Sequence, residues 1–245
     1  MDEIEKLQEM IDSSNNIVFF GGAGVSTESG IPDFRSTDGL YSKEFDGHAP
    51  EDILSIETFK SDPELFYKFY RKKILMQGQG LLIKPNAAHY KLAELEKAGK
   101  LKAIITQNID TLHQDVGSKV VHQIHGTIAT NHCVKCNKAF SLKDILNSSG
   151  VAKCDCGGII KPDVVLYNEG LPRATWIAAE HAARNADMLI IAGTSLRVYP
   201  AADIINYYKG NKLVIINRDS IAQESQADLA IHGSIGEILS KIKVN

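Results

Sequence analysis

Phe20-Gly21-Gly22-Ala23-Gly24-Val25-Ser26-Thr27-Glu28-Ser29-Gly30-Ile31-Pro32-Asp33-Phe34-Arg35 directly follows a short apolar run, Ile17-Val18-Phe19-Phe20. The run reads as a buried strand. Gly21, Gly22 and Gly24 then make a turn that side chains would obstruct. Bare backbone at a strand end can approach a pyrophosphate and aim N–H groups at it. The dinucleotide fingerprint Gly-x-Gly-x-x-Gly fails, because Thr27 holds the third glycine's place. A plain strand-to-helix turn would explain the glycines as well. It would not need Asp33-Phe34-Arg35, an acid, an aromatic and a guanidinium just past the turn.

Outward from that turn, apolar strands alternate with helical patterns. Ala103–Ile105, Met188–Ala192 and Leu213–Ile216 are continuously apolar, as a sheet covered on both faces requires. The alternation predicts an α/β fold, a doubly wound parallel sheet. Shorter strands are expected at Val120–Ile124, Asp163–Tyr167 and Ala227–Ile231. Residues 42–85 carry no strand pattern; a helix is expected from Pro63 to about Met76, stopped by Gly78-Gln79-Gly80. Helices are also expected over residues 2–13, His89–Lys97, Arg173–Asn185, from Pro200 to Gly210, and Ile235–Ile242.

In such sheets ligands sit at the carboxyl ends of the strands. The polar clusters Gly22–Thr27, Gln107–Asp110, His125, Gly193–Ser195 and Asn217–Asp219 all fall there. Each alone could be a cap or turn; together they predict one shared site. Among eight histidines, His125 stands out, ending an apolar strand beside Asn108 and Asp110. An imidazole there suits general-base work. His89, His113 and His122 read as structural. Asn108 and Asp110 are candidates to hold a ribose or a carboxamide, or else cap the next helix. Asn217 fits a ribose hydroxyl, and Thr194 and Ser195 a phosphate; each could equally be a cap.

The 245 residues allow one large domain, or one domain plus a small module. A net charge of −3 argues against a broad nucleic-acid-binding surface. No apolar run reaches the ~18 residues of a membrane helix. The acidic start Met1-Asp2-Glu3-Ile4-Glu5 carries no signal-peptide pattern, so a cytoplasmic location is expected. In that compartment the four cysteines read as metal ligands or thiols rather than disulfides. Cys133-x₂-Cys136 and Cys154-x-Cys156 suit a four-thiolate zinc ribbon, with Gly157-Gly158 supplying turn freedom. His132 is not expected as a ligand.

These motifs, in order, resemble the sirtuins, the NAD-dependent protein-lysine deacylases. The residues concerned are Gly22 to Arg35, Thr106-Gln107-Asn108-Ile109-Asp110, His125-Gly126, the cysteine quartet, Gly193-Thr194-Ser195-Leu196 and Asn217. The resemblance spans about residues 15–240. It implies a Rossmann-like NAD domain from residues 1–35, 86–126 and 163–245. A helical insertion, 36–85, and a zinc ribbon, 127–162, would form the small domain. NAD and an acyl-lysine protein would meet in the cleft between them. The acyl oxygen would attack the ribose C1′, nicotinamide would leave, His125 would act as base on a ribose hydroxyl that attacks the activated acyl carbon, and water would finally release lysine and O-acetyl-ADP-ribose.

The resemblance also implies residue roles. Asn108 joins His125 as catalytic. Gln107 and Asn108 would hold ribose; Ile31, Asp33 and Asp110 would line the nicotinamide pocket, with Ile109 beside them. Gly22, Ala23, Gly24, Thr27 and Arg35 would contact phosphate and ribose, and Phe34 would shield the reactive carbon. Gly193, Thr194, Ser195, Asn217 and Arg218 would hold the adenosine half, with adenine near Ile231 or His232. Val164, Val165, Leu166 and Tyr167 would pair with the substrate peptide. Zinc would be structural and the chain a monomer without nucleic-acid or membrane partners. Water must be kept from the reacting centre, and Phe34, Ile109, Ile124 and Val165 are its expected apolar walls. Two positions depart from the family pattern: Tyr167-Asn168-Glu169 replaces Phe-Gly-Glu, and the second cysteine pair is one residue short. Tyr70-x-x-Lys73 lacks the arginine of the succinyl- and malonyl-preferring sirtuins, so neutral acyl groups are expected. A mono-ADP-ribosyltransferase, an NAD dehydrogenase and a zinc-ribbon acyl-peptide binding module are the competing readings.

Overall fold

The computed structural model describes residues 2–34, 39–75 and 83–244. Nine strands lie among them: β1 (Ile17–Gly21), β2 (Leu101–Thr106), β3 (Val121–Gln123), β4 (Gly126–Cys133), β5 (Ala139–Ser141), β6 (Ile160–Val164), β7 (Met188–Ala192), β8 (Leu213–Asn217) and β9 (Leu229–His232). Six form a parallel sheet in the order β3-β2-β1-β7-β8-β9. The other three form an antiparallel sheet, β5-β4-β6.

β1, β7 and β8 are buried at every position. Alternation along the strand splits their side chains between two cores. Ile17 and Phe19 pack with Leu7, Ile11, Leu92 and Leu95 on one face. Val18 and Phe20 pack with Ala179, Ala183 and Ile204 on the other. Completely burying a phenylalanine contributes about 2–3 kcal/mol, so these runs fix the centre of the sheet. After β1 the chain moves outward to β2 and β3; it returns beside β1 at β7 and moves the other way. The β1/β7 boundary is therefore the topological switch point, where an open parallel sheet leaves a crevice.

Two glycine-bearing loops meet at that crevice. Gly24 donates to the Gly193 carbonyl at 2.9 Å and Gly22 to Ala192 at 3.1 Å. A Cβ on Gly24 would lie 2.6 Å from Gly193 Cα, and one on Gly193 (φ +61°) 2.5 Å from Val25 N. Backbone meets backbone here. The glycines of the first loop are thus required by the second loop, before any ligand is considered.

A separate core lies under the antiparallel sheet, with Phe66, Tyr67, Phe69, Cys133, Cys154, Ile160 and Leu166. Helices Pro50–Ile53, Ile56–Ser61, Pro63–Phe69 and Leu142–Asn147 surround it. The helix expected from Pro63 is α-helical only to Phe69; Tyr70–Leu75 is a π turn. Met76 and Gly78-Gln79-Gly80 lie outside the described residues. Asp62 starts this helix, its Oδ1 accepting from Leu65 N at 3.0 Å. Arg71 ties it to the helix Leu142–Asn147 by donating to the carbonyls of Ile145 and Gly150, both at 2.8 Å.

Two expectations are corrected. Asp163–Tyr167 is not a strand of the parallel sheet: the strand is Ile160–Val164, in the antiparallel one. Beyond it, Leu166 N donates to the Glu169 carboxylate at 2.8 Å and Tyr167 N to Leu54 O at 3.0 Å. Leu166 and Tyr167 pack on the small core. The segment after Pro200 is a 3₁₀ turn, Ala201–Asp203, followed by a four-residue helix, Ile204–Tyr207.

His89 and His113 are both buried, their ring centroids 4.7 Å apart. His89 Nδ1 accepts from Asn86 N at 3.2 Å, but His89 Nε2 and both nitrogens of His113 have no partner among the described residues. Burial pushes His89 down to about 4, and burial together with its neighbour His89 pushes His113 to about 3. The unfolded chain then binds more protons between those values and 6.5, so stability falls as pH drops below 6.5. At pH 5 each histidine costs about 2 kcal/mol. Urea unfolding at pH 7.5 and pH 5 should show a loss of about 4 kcal/mol, halved in His113→Leu; an equal loss in both proteins contradicts this origin.

Candidate active site

The carboxyl ends of β1, β2, β3 and β7 are bound to one another through a few side chains. Gln107 follows β2: its N–H donates to Gly21 O at 2.9 Å and its Nε2 to Thr194 Oγ1 at 2.9 Å. Its carbonyl accepts from His125 Nδ1 at 3.0 Å. A carbonyl can only accept, so Nδ1 carries a proton, and in the neutral ring the lone pair is on Nε2. The imidazole is thereby set as a proton acceptor.

Beside it, Asn108 Nδ2 donates to Ser26 Oγ at 3.0 Å, and Ser26 Oγ donates to Asp110 Oδ2 at 2.9 Å. Asp110 Oδ1 accepts from Leu112 N at 3.1 Å, the capping contact foreseen as an alternative. Burial pushes the Asp110 carboxyl above the ordinary aspartate range, against the opposing effect of these two hydrogen bonds. At the β8 end, Asn217 Oδ1 accepts from Thr194 N and Asn217 Nδ2 donates to Thr194 O, both at 3.1 Å. The amide braces the β7 loop and keeps one further lone pair and one further hydrogen.

A cavity of about 600 Å³ opens over this row, within the range of small-molecule sites. Of the residues singled out in the sequence, it is lined by Gly22, Ala23, Gly24, Thr27, Asp33, Phe34, Gln107, Asn108, Ile109 and His125. Val164–Tyr167, Gly193–Ser195, Asn217 and Arg218 complete that set. A second cavity, about 310 Å³, takes in Ile31 and Asp110. Ala23, Phe34, Ile74, Asn108 and Ile109 line both, so they form the wall between them. Arg35 lies outside the described residues.

Ile231 and His232 line neither cavity. Ile231 is buried in the main core, and His232 faces Glu224 at 3.5 Å. Alternation along β9 turns the one inward and the other outward; Gly233, Ser234 and Ile235, just beyond, line the cavity instead. Ile124 likewise belongs to the core and not to the wall. The proposed acyl-selecting pair is divided: Tyr70 lines the larger cavity and Lys73 the smaller. Ser26, the bridge between Asn108 and Asp110, was passed over in the sequence because small polar residues are common in turns. Glu28, Tyr41 and Arg197 also line the cavity, with no local pattern to mark them.

Gly126, next to His125, has φ +76°, and a Cβ there would lie 1.9 Å from the Asp163 carbonyl. Only glycine lets β4 cross β6 at this point. The crossing lets Val165 N donate to His125 O at 2.9 Å, so the base is held from both sides.

The four cysteine Sγ atoms lie within 4.8 Å of one another. Cys133–Cys156 and Cys136–Cys154 are 3.5 and 3.6 Å apart. Zinc–sulfur bonds of about 2.3 Å in a tetrahedron require edges of about 3.8 Å; two edges are near that length and none exceeds 4.8 Å, so the donor set fits zinc. A Cβ on Gly158 would lie 2.6 Å from Cys133 Sγ; this glycine lets the short second pair close on the first. His132 is engaged elsewhere, donating through Nδ1 to Asp163 at 2.8 Å.

A parallel sheet with polar groups gathered at its switch point, joined to a closed four-thiolate module, defines an α/β nucleotide-site protein with a structural metal centre. The model of the Sir2 family matches residues 22–200. The chain is 51% identical to a protein of Clostridium acetobutylicum called NAD-dependent protein deacetylase, over 99% of this chain and 98% of that one. A protein of the same name from Clostridium tetani is 55% identical, over 99% and 98%. A solved Sir2 structure with a p53 peptide and NAD+ superposes with TM-score 0.85 at 38% identity, covering 98% and 96%. Another, with a deacetylated p53 peptide and 3′-O-acetyl-ADP-ribose, has TM-score 0.89 at 37% identity, covering 97% and 96%. The chain belongs to the Sir2 family.

Proposed function

We propose that His125, Asn108 and the strand-end row around them carry the reaction of this chain, which is an NAD-dependent protein deacetylase. The observation that carries the assignment is the His125–Gln107 hydrogen bond, which orients the imidazole at the cavity that Asn108 also lines and places the proton of its neutral form on Nδ1. NAD supplies a ribosyl carbon and a nicotinamide leaving group. Everything else falls to the residues. Gln107 and Asn108 hold the ribose. His125 takes the proton of a ribose hydroxyl as that hydroxyl attacks the acyl carbon.

The smaller cavity suits the nicotinamide ring. Ile31 gives it an apolar face, and the Asp110 carboxyl oxygens offer acceptors to the carboxamide N–H groups. Asp33 faces it from the larger cavity. Phe34 separates the two spaces and limits water at the reacting centre. Gly22, Ala23, Gly24 and Thr27 lie toward the pyrophosphate, with Arg35 assigned the same role from its motif alone; Gly193, Thr194, Ser195, Asn217 and Arg218 lie toward the adenosine. Ser26 positions Asn108 and Asp110 together. Cys133, Cys136, Cys154 and Cys156 hold a structural zinc with no coordination position open to water.

Acylated lysine peptides are the partners, along Val164–Tyr167. Solved Sir2 structures carry an acetylated peptide and a propionylated peptide. Residues 36–85 and 127–162 act as a small domain against the rest. A monomeric, cytoplasmic protein that binds neither nucleic acid nor membrane completes the proposal. It is supported by the net charge of −3 and by the lack, among the described residues, of a helix long and apolar enough to cross a membrane. Incubation with NAD and an acetyl-lysine peptide, followed by mass spectrometry, should give free nicotinamide, deacetylated peptide and O-acetyl-ADP-ribose. NADH, or ADP-ribose attached to protein, would overturn the reading in favour of a dehydrogenase or a transferase.

A further inference from the structure

Phe34 stands in the wall between the two cavities. Leu40 N donates to Asp33 O and Tyr41 N to Phe34 O, both at 2.9 Å. These two bonds pin the backbone on either side of residues 35–38. They do not fix the Phe34 ring, which turns about its own side-chain torsions. Tyr41 supplies the contact that the backbone does not. Its ring lies 5.1 Å from the Phe34 ring, with 56° between planes, and 6.3 Å from the Tyr167 ring, with 51°. Among the described aromatic residues, no other ring reaches Phe34.

Tyr167 is the fixed end of this chain of rings. Its N–H donates to Leu54 O and its carbonyl accepts from Ile56 N, both at 3.0 Å. Tyr41 and Tyr167 pack on the small core, and both line the larger cavity together with Phe34. Tyr41 is thus a strut from a braced segment to the ring that divides the site. Tyr167 also belongs to the segment along which the acyl-lysine peptide is proposed to lie, so the strut joins the peptide's place to that of Phe34.

We infer that Tyr41 is a positioning residue: it holds the Phe34 ring over the ribosyl carbon and so decides whether the acyl oxygen or water captures that carbon. This rests on the deacylase reading above and adds a residue to it. An amide oxygen is a weak nucleophile and must meet the carbon before water does. When the ring is displaced, a water oxygen bonds to the ribosyl carbon. The electron pair of the carbon–nitrogen bond leaves with nicotinamide, and the water's proton passes to solvent. The acyl-lysine stays intact, so each such event yields nicotinamide and ADP-ribose without deacylation. Losing one aromatic pair shifts an equilibrium between held and displaced rings by about two- to tenfold.

The test compares two products formed from NAD and an acetyl-lysine peptide. In the wild-type protein nicotinamide and deacetylated peptide should appear in nearly equal amounts. In Tyr41→Leu nicotinamide should exceed deacetylated peptide, with hydrolysis to ADP-ribose raised by about two- to tenfold. Tyr41→Phe keeps the ring and should restore the balance. Should Tyr41→Leu fail to fold, Tyr41→Met carries the same expectation. A merely structural tyrosine would slow both products together and leave them equal. Equal amounts in the folded leucine or methionine variant therefore overturn the inference, as does the same excess in Tyr41→Phe. Neither nicotinamide nor deacetylated peptide from the wild-type protein would instead overturn the deacylase reading.

Discussion

Replacing His125 with alanine should lower deacetylation of an acetyl-lysine peptide by about 10²- to 10⁴-fold, the range for losing a positioned general base. The loss should fall on kcat more than on KM. His125 touches the cavity from the end of β3, held by the Gln107 carbonyl on one side and by Val165 N on the other. Neither contact needs the imidazole to grip the peptide. The order of events sharpens the test. Nicotinamide leaves before the base is needed, so exchange of labelled nicotinamide into NAD should survive in His125→Ala while product release collapses. Loss of both to the same degree would show that the imidazole acts earlier, or that the site has come apart. Full retention of deacetylation would refute the base assignment. A Gln107 side-chain variant is a useful companion, because the acceptor for Nδ1 is the Gln107 backbone carbonyl and persists. The side chain joins Thr194 and faces the proposed ribose site, so Gln107→Ala should raise KM for NAD while leaving the tautomer intact.

The centre of the fold was legible because physics left those residues one choice. β1, β7 and β8 are buried on both faces and are apolar throughout; no exposed segment would tolerate such runs. The strand-end clusters followed, since a parallel sheet delivers every carboxyl end to one rim. What stayed hidden depended on contacts between distant segments. Gly22 and Gly24 were legible as needed, but the reason was not: Gly193, far along the chain, packs against them. Asn217 reads as a ligand group or a cap, and its double bond to Thr194 can be seen only once β7 and β8 are adjacent. Val165–Tyr167 is apolar enough for a strand, yet His125, Glu169 and Leu54 capture its three N–H groups. Ile231 and His232 missed the cavity by one step along the chain, since Gly233 to Ile235 line it.

Purified protein should carry about one zinc per chain, and Cys154→Ser should lower Tm by about 10 °C or more. The argument starts from composition of the small core. Cys133 and Cys154 are buried in it together with Phe66, Tyr67 and Ile160. Helices of four to seven residues surround it, too short to be stable alone. The core is modest, and small modules of this kind draw much of their folding free energy from the metal. Removing a ligand should also reach the site. β6 runs from Ile160, beside Cys133 in the sheet, to Val164, and the next residue donates to His125 O. Loosening the thiolate cluster loosens the strand that holds the base. Chelation in mild urea should therefore abolish activity in step with the change in tryptophan-independent probes of the small core, such as near-ultraviolet signals from Tyr67 and Tyr70, and added zinc should restore both. Protein that is metal-free as purified, with an unchanged Tm in Cys154→Ser, would show that four reduced thiols suffice and that the tetrahedral spacing of their sulfurs is only packing.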